Sequence, residues 1–217
     1  TTVLQNRRTV EELQKDREKP LAEDKLRQLI VPFISEVENK IEAIEDGQYS
    51  WVHVRSTFGE FLGNVPYQSL LSDEISDTVL QEMERDNPAL LEEIERHDKV
   101  VVEIQEEIDE VLEQLESRAE TLIADESFEN DDGDEADPEL MARCVINDYQ
   151  RSHGPPNHEE LWENHSEDFL ELKDSELMSD LHRQRDEYLD LCKSLKTHLV
   201  DYKVQLQQQY GISEKDI

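Results

Sequence analysis

Two long stretches of the chain repeat apolar residues at alternating steps of three and four. The first follows Pro88, a residue well suited to the first turn of a helix. Such spacing over more than four repeats is typical of a heptad seam, in which a narrow stripe of one helix packs against a partner helix. The first seam, within residues 88–123, comprises Leu90, Ile94, His97, Val101, Ile104, Ile108, Val111, Leu115, Arg118 and Leu122.

The second stretch covers residues 175–210 and ends before Gly211. Each run predicts a helix of roughly 54 Å at 1.5 Å per residue. Equal lengths favour antiparallel pairing within one chain, and the alternative is a homodimer in which like helices pair across a two-fold axis. The second seam comprises Leu177, Leu181, Gln184, Tyr188, Leu191, Leu195, His198, Tyr202, Leu206 and Gln209.

The chain before the first seam holds further helical patterns. Residues 1–20 are polar and charged, and we interpret them as an arm or a short helix. From about residue 21 to residue 46 the apolar residues recur at helical spacing. Pro32 should kink or split this helix at Ile30–Val31. Gly47 then offers a C-terminal cap.

The remaining segments are shorter and more varied. Residues 48–65 are the most strand-like, but a lone strand would have no partner, so we favour helix and loop there. A helix should run from Pro66 to about Asp86. Residues 124–137 form an acidic break that is the best linker in the chain. A short helix should then run from Pro138 to about Arg151, and Asn157 should cap the next helix.

These patterns predict an all-α fold, an elongated helical bundle whose spine is a pair of long antiparallel coiled-coil-type helices. A protein of this kind needs few apolar residues, because each helix buries a narrow stripe, and the apolar fraction is 35%. The predicted divisions are a polar N-terminal arm at 1–20, a helical region at 21–123, the acidic linker at 124–137 and a second helical region at 138–217.

The chain is strongly acidic, with 55 Asp and Glu against 22 Lys and Arg and a formal net charge of −33. Acids occur in every segment, and this composition resembles that of proteins from salt-in halophiles, haloarchaea above all, or from their viruses. An ordinary acidic coiled-coil protein is the alternative. The charge argues against broad nucleic-acid binding and against an anionic membrane surface. Because no signal-peptide pattern opens the sequence, we predict a cytoplasmic location.

Chemistry-bearing residues are few, and we predict no cofactor, no metal ion and no catalytic site. Cys144 and Cys192 lack metal-ligand spacing and each falls within a helical stretch. We therefore predict two buried free thiols. His153, His158 and His165 surround a Pro-Pro break, where we interpret them as exposed or helix-end histidines.

One carboxylate pattern resembles an enzyme family. The stretch from Glu106 to Glu110 matches Glu-Glu-x-x-Glu, and Glu129 to Asp132 supplies a following Glu-x-x-Asp. That order resembles the magnesium-binding carboxylates of all-helical nucleotide pyrophosphohydrolases of the MazG type. The resemblance implies a magnesium ion that positions water against a triphosphate. Because the second pair falls in the acidic linker, our main expectation is not an enzyme.

We expect a non-enzymatic interaction, scaffold or assembly protein that recognises a protein partner through its helix faces. Apolar stripes would act as anchors, and acidic flanks would reject wrong partners. The alternative is an acidic mimic of nucleic acid or a binder of basic partners. The seam residues expected to carry the packing are Ile94, Val101, Ile104, Ile108, Tyr188, Leu191 and Leu195. The candidate exposed anchors are Trp51, Phe58 and Phe61.

Overall fold

The chain is an all-α helical bundle, as the periodicity predicts. The computed structural model describes residues 2–55, 61–62, 64–71, 75–149, 154–215 and 217, with side chains from residue 12 onward except those of 55, 61 and 62. The helices in these ranges are α1 (Thr2–Lys25), a π-helical turn (Leu26–Ile30), α2 (Val31–Glu45), α3 (Asp77–Asp86), α4 (Pro88–Glu126), α5 (Pro138–Ile146), α6 (Glu159–Leu170) and α7 (Ser179–Tyr210). Two short strands are β1 (Val54–Arg55) and β2 (Phe61–Leu62).

Two compact units make up the fold, and each combines segments that are distant in the sequence. Unit 1 consists of Thr1–Ile41, Ser69–Lys99 and Asp190–Ile217. Unit 2 consists of Glu42–Gln68 and Val100–Leu189. The units therefore do not follow the order of the chain, since α4 and α7 contribute to both. No boundary between the units falls in the acidic segment 124–137.

The two long helices pair in opposite directions within one chain, as the first of our two alternatives predicts. In unit 1, Glu93 of α4 accepts a hydrogen bond from Ser194 of α7 at 2.8 Å and also pairs with His198. Earlier in α4, Ala89 lines a cavity together with Gln205, which lies later in α7. This reversed order is the signature of antiparallel neighbours.

Unit 2 is built around stacked aromatic rings. Trp51 lies parallel to Tyr67 with ring centroids 5.4 Å apart, and Tyr67 contacts Tyr188 of α7 at 5.5 Å. Asn147 holds this segment in place, because its side-chain oxygen accepts from the Trp51 amide at 2.7 Å and its side-chain nitrogen donates to the Val52 carbonyl at 2.8 Å. These aromatic pairs add to the free energy of burial.

Several predicted helix boundaries are confirmed. Helix α4 begins at Pro88. The break expected from Pro32 at Ile30–Val31 takes the form of the π-helical turn, which ends at Ile30. Gly47 and Gly211 both adopt positive φ angles, of 65° and 64°, where α2 and α7 end. A residue without a Cβ reaches this left-handed conformation at little cost.

The prediction of helix and loop for residues 48–65 is wrong for β1 and β2, whereas the described residues 50–53 form a loop. Val54 pairs with Leu62 in antiparallel register, and Tyr49 forms an isolated bridge with Asn64. The strand that was expected to lack a partner finds one within the same segment. Local pairing of this kind needs only a short turn.

Two helices begin later than predicted. Helix α3 begins at Asp77 rather than at Pro66. The described residues directly after Pro66 are not helical, and Tyr67 is buried in the aromatic core. Helix α6 begins at Glu159, and Asn157 precedes it with a positive φ of 59°. The carboxylate of Asp131 accepts the Glu159 amide at 2.9 Å. A distant carboxylate therefore satisfies the amide that a local cap was expected to bind.

The acidic segment 124–137 is an ordered loop. Helix α4 continues to Glu126, and the side chain of Asn130 then accepts the amides of Asp132 and Asp134, each at 3.0 Å. Buried His158 closes the loop, because its Nε2 accepts the Asp137 amide at 2.9 Å. The polar side chains of the segment thus satisfy its own backbone, which is the usual role of Asn and Asp in turns.

Candidate functional site

The seam residues pack against other residues of the same chain. Six of the seven chosen residues are buried and Leu191 is half-buried. Because internal packing covers them, they are not available as apolar anchors for a partner helix. The six buried residues are Ile94, Val101, Ile104, Ile108, Tyr188 and Leu195.

Trp51, predicted as a candidate exposed anchor, is only 5% exposed and stacks on Tyr67, so that prediction is wrong for Trp51. Phe58 lies outside the described residues, and so does the side chain of Phe61. The sequence pattern of this aromatic segment is the same whether its side chains are buried in a core or exposed to a partner. Burial depends on which other segments pack against these side chains.

The outer side of α4 in unit 2 carries a continuous row of carboxylates, which we call the acidic face. It lies opposite the buried positions Ile104, Ile108, Val111 and Leu115. All its members are exposed, and none forms an ion pair with any residue that the structure describes. The members of the acidic face are Glu106, Asp109, Glu110, Glu113, Glu116 and Glu120.

The charge density of the acidic face is close to that of a nucleic-acid strand. From Glu106 to Glu120 the helix rises about 21 Å at 1.5 Å per residue, so its six carboxylates, which span five intervals, lie on average roughly 4.2 Å apart along the helix axis. One strand of duplex DNA carries one phosphate per about 3.4 Å. The sequence has no Lys or Arg between Val100 and Ser117 that would interrupt the row.

Basic residues near the end of this row are used elsewhere. Arg118 donates to Asp174 at 3.0 Å, on the segment that precedes α7. Its guanidinium therefore has a carboxylate partner outside the acidic face. The negative electrostatic potential of the acidic face attracts cations. Because no described residue forms an ion pair with it, a cation that binds the face comes from outside the described chain.

The carboxylates of the enzyme-like pattern are divided between α4 and the ordered loop. Glu106 and Glu110 are exposed on α4, while Glu129 and Asp132 are exposed on the loop. Within the ranges that the structure describes, no three His, Cys, Asp or Glu side chains are grouped as a metal site. His153 lies outside these ranges, and the ring of His158 is engaged by the loop.

Buried charges are the feature that our sequence argument missed. Lys40 is 2% exposed and its ammonium lies 3.4 Å from Glu36. Burial lowers the pKa of Lys40, although Glu36 opposes that effect. Lys40 continues the alternating steps set by Phe33 and Val37, so its spacing was a usable signal.

The thiols behave as predicted. Cys144 and Cys192 are free and buried. Burial raises the pKa of the Cys144 thiol to about 12. A thiol with so high a pKa is protonated at neutral pH and is a poor nucleophile.

The fold and the site together define an acidic all-α helical bundle with one unpaired carboxylate face among the described residues. Comparison of the chain with protein-family models, with curated proteins and with solved structures found no match. No helix within the described ranges has both the length and the apolar character needed to cross a bilayer.

Proposed function

We propose that this protein is a non-enzymatic interaction protein that binds the basic surface of a protein partner through the acidic face. The observation that carries the proposal is the density of unpaired carboxylates on α4, which approaches that of a nucleic-acid strand. Proteins that bind nucleic acids contact phosphates mainly with Lys and Arg. A surface of that kind, or a lysine-rich segment, is the partner chemistry that fits.

The neighbouring helix supports this interpretation because its outer acids are neutralised. On α7 in unit 2, Arg183 pairs with Asp180 at 2.9 Å and with Glu187 at 3.2 Å. Arg185 pairs with Asp186 at 2.7 Å. If acids served only to keep the surface solvated, both outer faces would be expected to look alike. The contrast favours a specific role for the α4 row.

The proposed mechanism differs from the one that the seams suggested. The apolar stripes are covered by internal packing and therefore cannot contact a partner. In our proposal, electrostatic interactions mediate recognition instead. Charge complementarity speeds association and selects partners more than it adds affinity. We therefore expect fast, salt-sensitive binding, with apolar contacts in a minor role.

The composition adds an expectation about the setting, namely the cytoplasm of a salt-in halophile or of a cell infected by its virus. At molar salt the Debye length is about 3 Å. Only cations that reach the carboxylates at contact distance would then contribute, so the partner must match the row in spacing as well as in charge.

The test compares two variants with the same change of net charge. One carries Glu106→Gln, Glu110→Gln and Glu113→Gln on the acidic face, and the other carries Asp180→Asn, Asp186→Asn and Glu187→Gln on α7. An oligo-lysine peptide is titrated against each by calorimetry at several salt concentrations, with duplex DNA added as competitor for the peptide.

The acidic-face variant should bind the peptide at least about ten-fold more weakly, since three close charge pairs at roughly 0.5 kcal/mol each are lost. The α7 variant should bind within about two-fold of the wild type. Equal weakening of both variants would show that binding follows net charge alone, and the acidic face would then be a solvation coat.

A further inference from the structure

A groove of about 400 Å³ lies in unit 1 between the consecutive helices α3 and α4, and we call it the α3–α4 groove. Only Asn87 separates the two helices in the sequence. Each helix lines the groove with residues at positions i, i+3, i+4 and i+7, which share one helical face. These residues are Asp77, Leu80, Gln81 and Glu84 of α3, and Pro88, Leu91, Glu92 and Glu95 of α4.

Leucines are the less exposed part of the groove. Leu71, Leu80 and Leu91 all line it and are half-buried, whereas its carboxylates are exposed. A half-buried leucine keeps part of its apolar surface in contact with water, and removing that surface from water is favourable. The leucines therefore offer a contact surface to an apolar side chain from outside the chain.

The charged side chains of the groove are all acidic. Four carboxylates form its rim, and no Lys, Arg or His of the described chain lines it. Residues 71–84 and 88–95 include no basic residue in the sequence. Arg85 follows the first of these stretches, but its guanidinium binds Glu82 and Asp86. The four carboxylates of the rim are those of Asp77, Glu84, Glu92 and Glu95.

The leucines and the rim together select the occupant. An anion would meet four like charges, and a second copy of this chain, with its net charge of −33, would bring further carboxylates to the rim. A hydrophilic cation would neutralise the rim and leave the leucines in contact with water. A basic amphipathic helix meets both demands, because its apolar stripe covers the leucines while its flanking cations reach the carboxylates.

We propose that the α3–α4 groove binds a basic amphipathic helix of a protein partner. Apolar side chains of that helix contact Leu80 and Leu91, and its Lys or Arg side chains lie at the carboxylates of the rim. Helices that bind in grooves use apolar anchors at i, i+3 and i+4 spacing in this way. The groove lies in unit 1 and the acidic face in unit 2, so this proposal does not depend on the proposed function.

The test uses two synthetic peptides of about 15 residues, near the minimum length for an isolated helix. One carries leucines on one helical face and lysines on the other. The second replaces each leucine with alanine and has the same charge. Fluorescence anisotropy of each labelled peptide measures its binding to the full chain.

The wild type should bind the leucine peptide at least about ten-fold more tightly than the alanine peptide, because at least one leucine side chain is buried in the groove. This preference should persist in molar KCl, where the electrostatic contribution is screened.

Two variants with the same change of net charge locate the binding site. One carries Glu84→Gln and Glu95→Gln on the rim, and the other carries Glu163→Gln and Glu167→Gln on α6 in unit 2. All four residues are exposed, so both variants should fold like the wild type. At low salt the rim variant should bind the leucine peptide about five-fold more weakly, since two charge contacts are lost. The α6 variant should bind it within about two-fold of the wild type.

Leu91→Ala tests the apolar contact from the side of the protein. It should reduce the preference for the leucine peptide and leave the affinity for the alanine peptide unchanged. Because Leu91 is half-buried, the variant should also melt at a lower temperature. Both peptides are therefore compared at a temperature at which the variant is folded.

Four results would overturn the proposal. Equal binding of the two peptides by the wild type would exclude an apolar contact. Equal weakening in the rim and α6 variants would show that binding follows net charge alone. Loss of the preference in the triple variant of the acidic face would place the contact in unit 2. A dimer that light scattering detects in the wild type and not in Leu91→Ala would make a second copy the occupant.

Discussion

The carboxylates of α4 fall into two regions. In one region the half-buried carboxylates accept hydrogen bonds from other residues, and in the other they have no cationic partner among the described residues. In unit 1, Glu93 is bound by Ser194 and His198. Asp98 accepts the Leu70 amide at 2.7 Å, the Leu71 amide at 2.9 Å and the ring of His97 at 2.8 Å. In unit 2, the acidic face has no cation from the described chain.

This comparison distinguishes carboxylates that stabilise the fold from carboxylates that destabilise it. A half-buried carboxylate with several donors stabilises the folded state, and an unpaired neighbour of like charge at helical spacing costs about 0.2–0.5 kcal/mol. A row of carboxylates that destabilises the fold is explained by a role other than folding. In our proposal that role is to bind the basic partner.

The largest expected effect lies in the first region. Asp98→Ala should lower the free energy of unfolding by about 3 kcal/mol, because the Leu70 and Leu71 amides and the buried His97 imidazole lose their acceptor. Glu106→Ala, on the same helix but in the acidic face, should stay within about 0.5 kcal/mol of the wild type. Denaturant titration of both measures the contrast, and similar losses would abolish the distinction between the two regions.

The same carboxylate should make stability depend on pH. Burial alone would raise the pKa of Asp98, but hydrogen bonds from His97 and from the Leu70 and Leu71 amides outweigh it and hold the pKa below its ordinary value. The stability it contributes is complete above the unfolded pKa of about 3.9 and is lost as the pH falls through the lower folded value.

Denaturant titrations between about pH 5 and pH 3 should therefore show a steeper fall for the wild type than for Asp98→Ala. Parallel curves would mean that other carboxyl groups carry the acid sensitivity.

A smaller effect is expected at Glu93. Glu93→Gln keeps the shape but weakens the bonds from Ser194 and His198, and should cost about 1 kcal/mol. Glu92→Gln is the matched control, because Glu92 is exposed and adjacent in α4. Thermal and denaturant unfolding should show a lower stability for Glu93→Gln than for Glu92→Gln. If the stability of Glu93→Gln equals that of the wild type, Glu93 belongs with the carboxylates that do not stabilise the fold.

The smallest effect should have the opposite sign. Glu110→Gln relieves repulsion from Glu106 and Glu113, and should stabilise the protein by a few tenths of a kcal/mol at low salt. The gain should vanish in molar KCl, where screening removes the repulsion. Glu187→Gln on α7 loses its Arg183 partner and should not stabilise. A destabilising Glu110→Gln would show that the acidic face contributes to folding.

Sequence reasoning succeeded where the signal was local. The seams predicted the long antiparallel helices. Pro88 marked the start of α4, Gly211 the end of α7 and Gly47 the end of α2. It failed at the β1–β2 hairpin and at the start of α6. In α6 the amide of Glu159 is satisfied by Asp131, which is remote in sequence, and no local pattern announces such a partner.

The candidate site shows the same division. The acids of α4 were visible in the sequence, and so was their place opposite the seam. Their lack of partners was not visible, because α7 carries arginines that were equally available on composition alone. Trp51 was predicted as an exposed anchor, yet its ring stacks on Tyr67 and its amide donates to Asn147.

What the sequence determined by itself is the helical class, the two seams and the excess of negative charge, because periodicity, helix ends and composition act within a few residues. The tertiary structure alone decided which charges pair across distant segments, such as buried Lys25 of α1 with Asp86 of α3. The free energy of a charge depends on the groups packed around it. Those groups come together only when distant segments fold against each other.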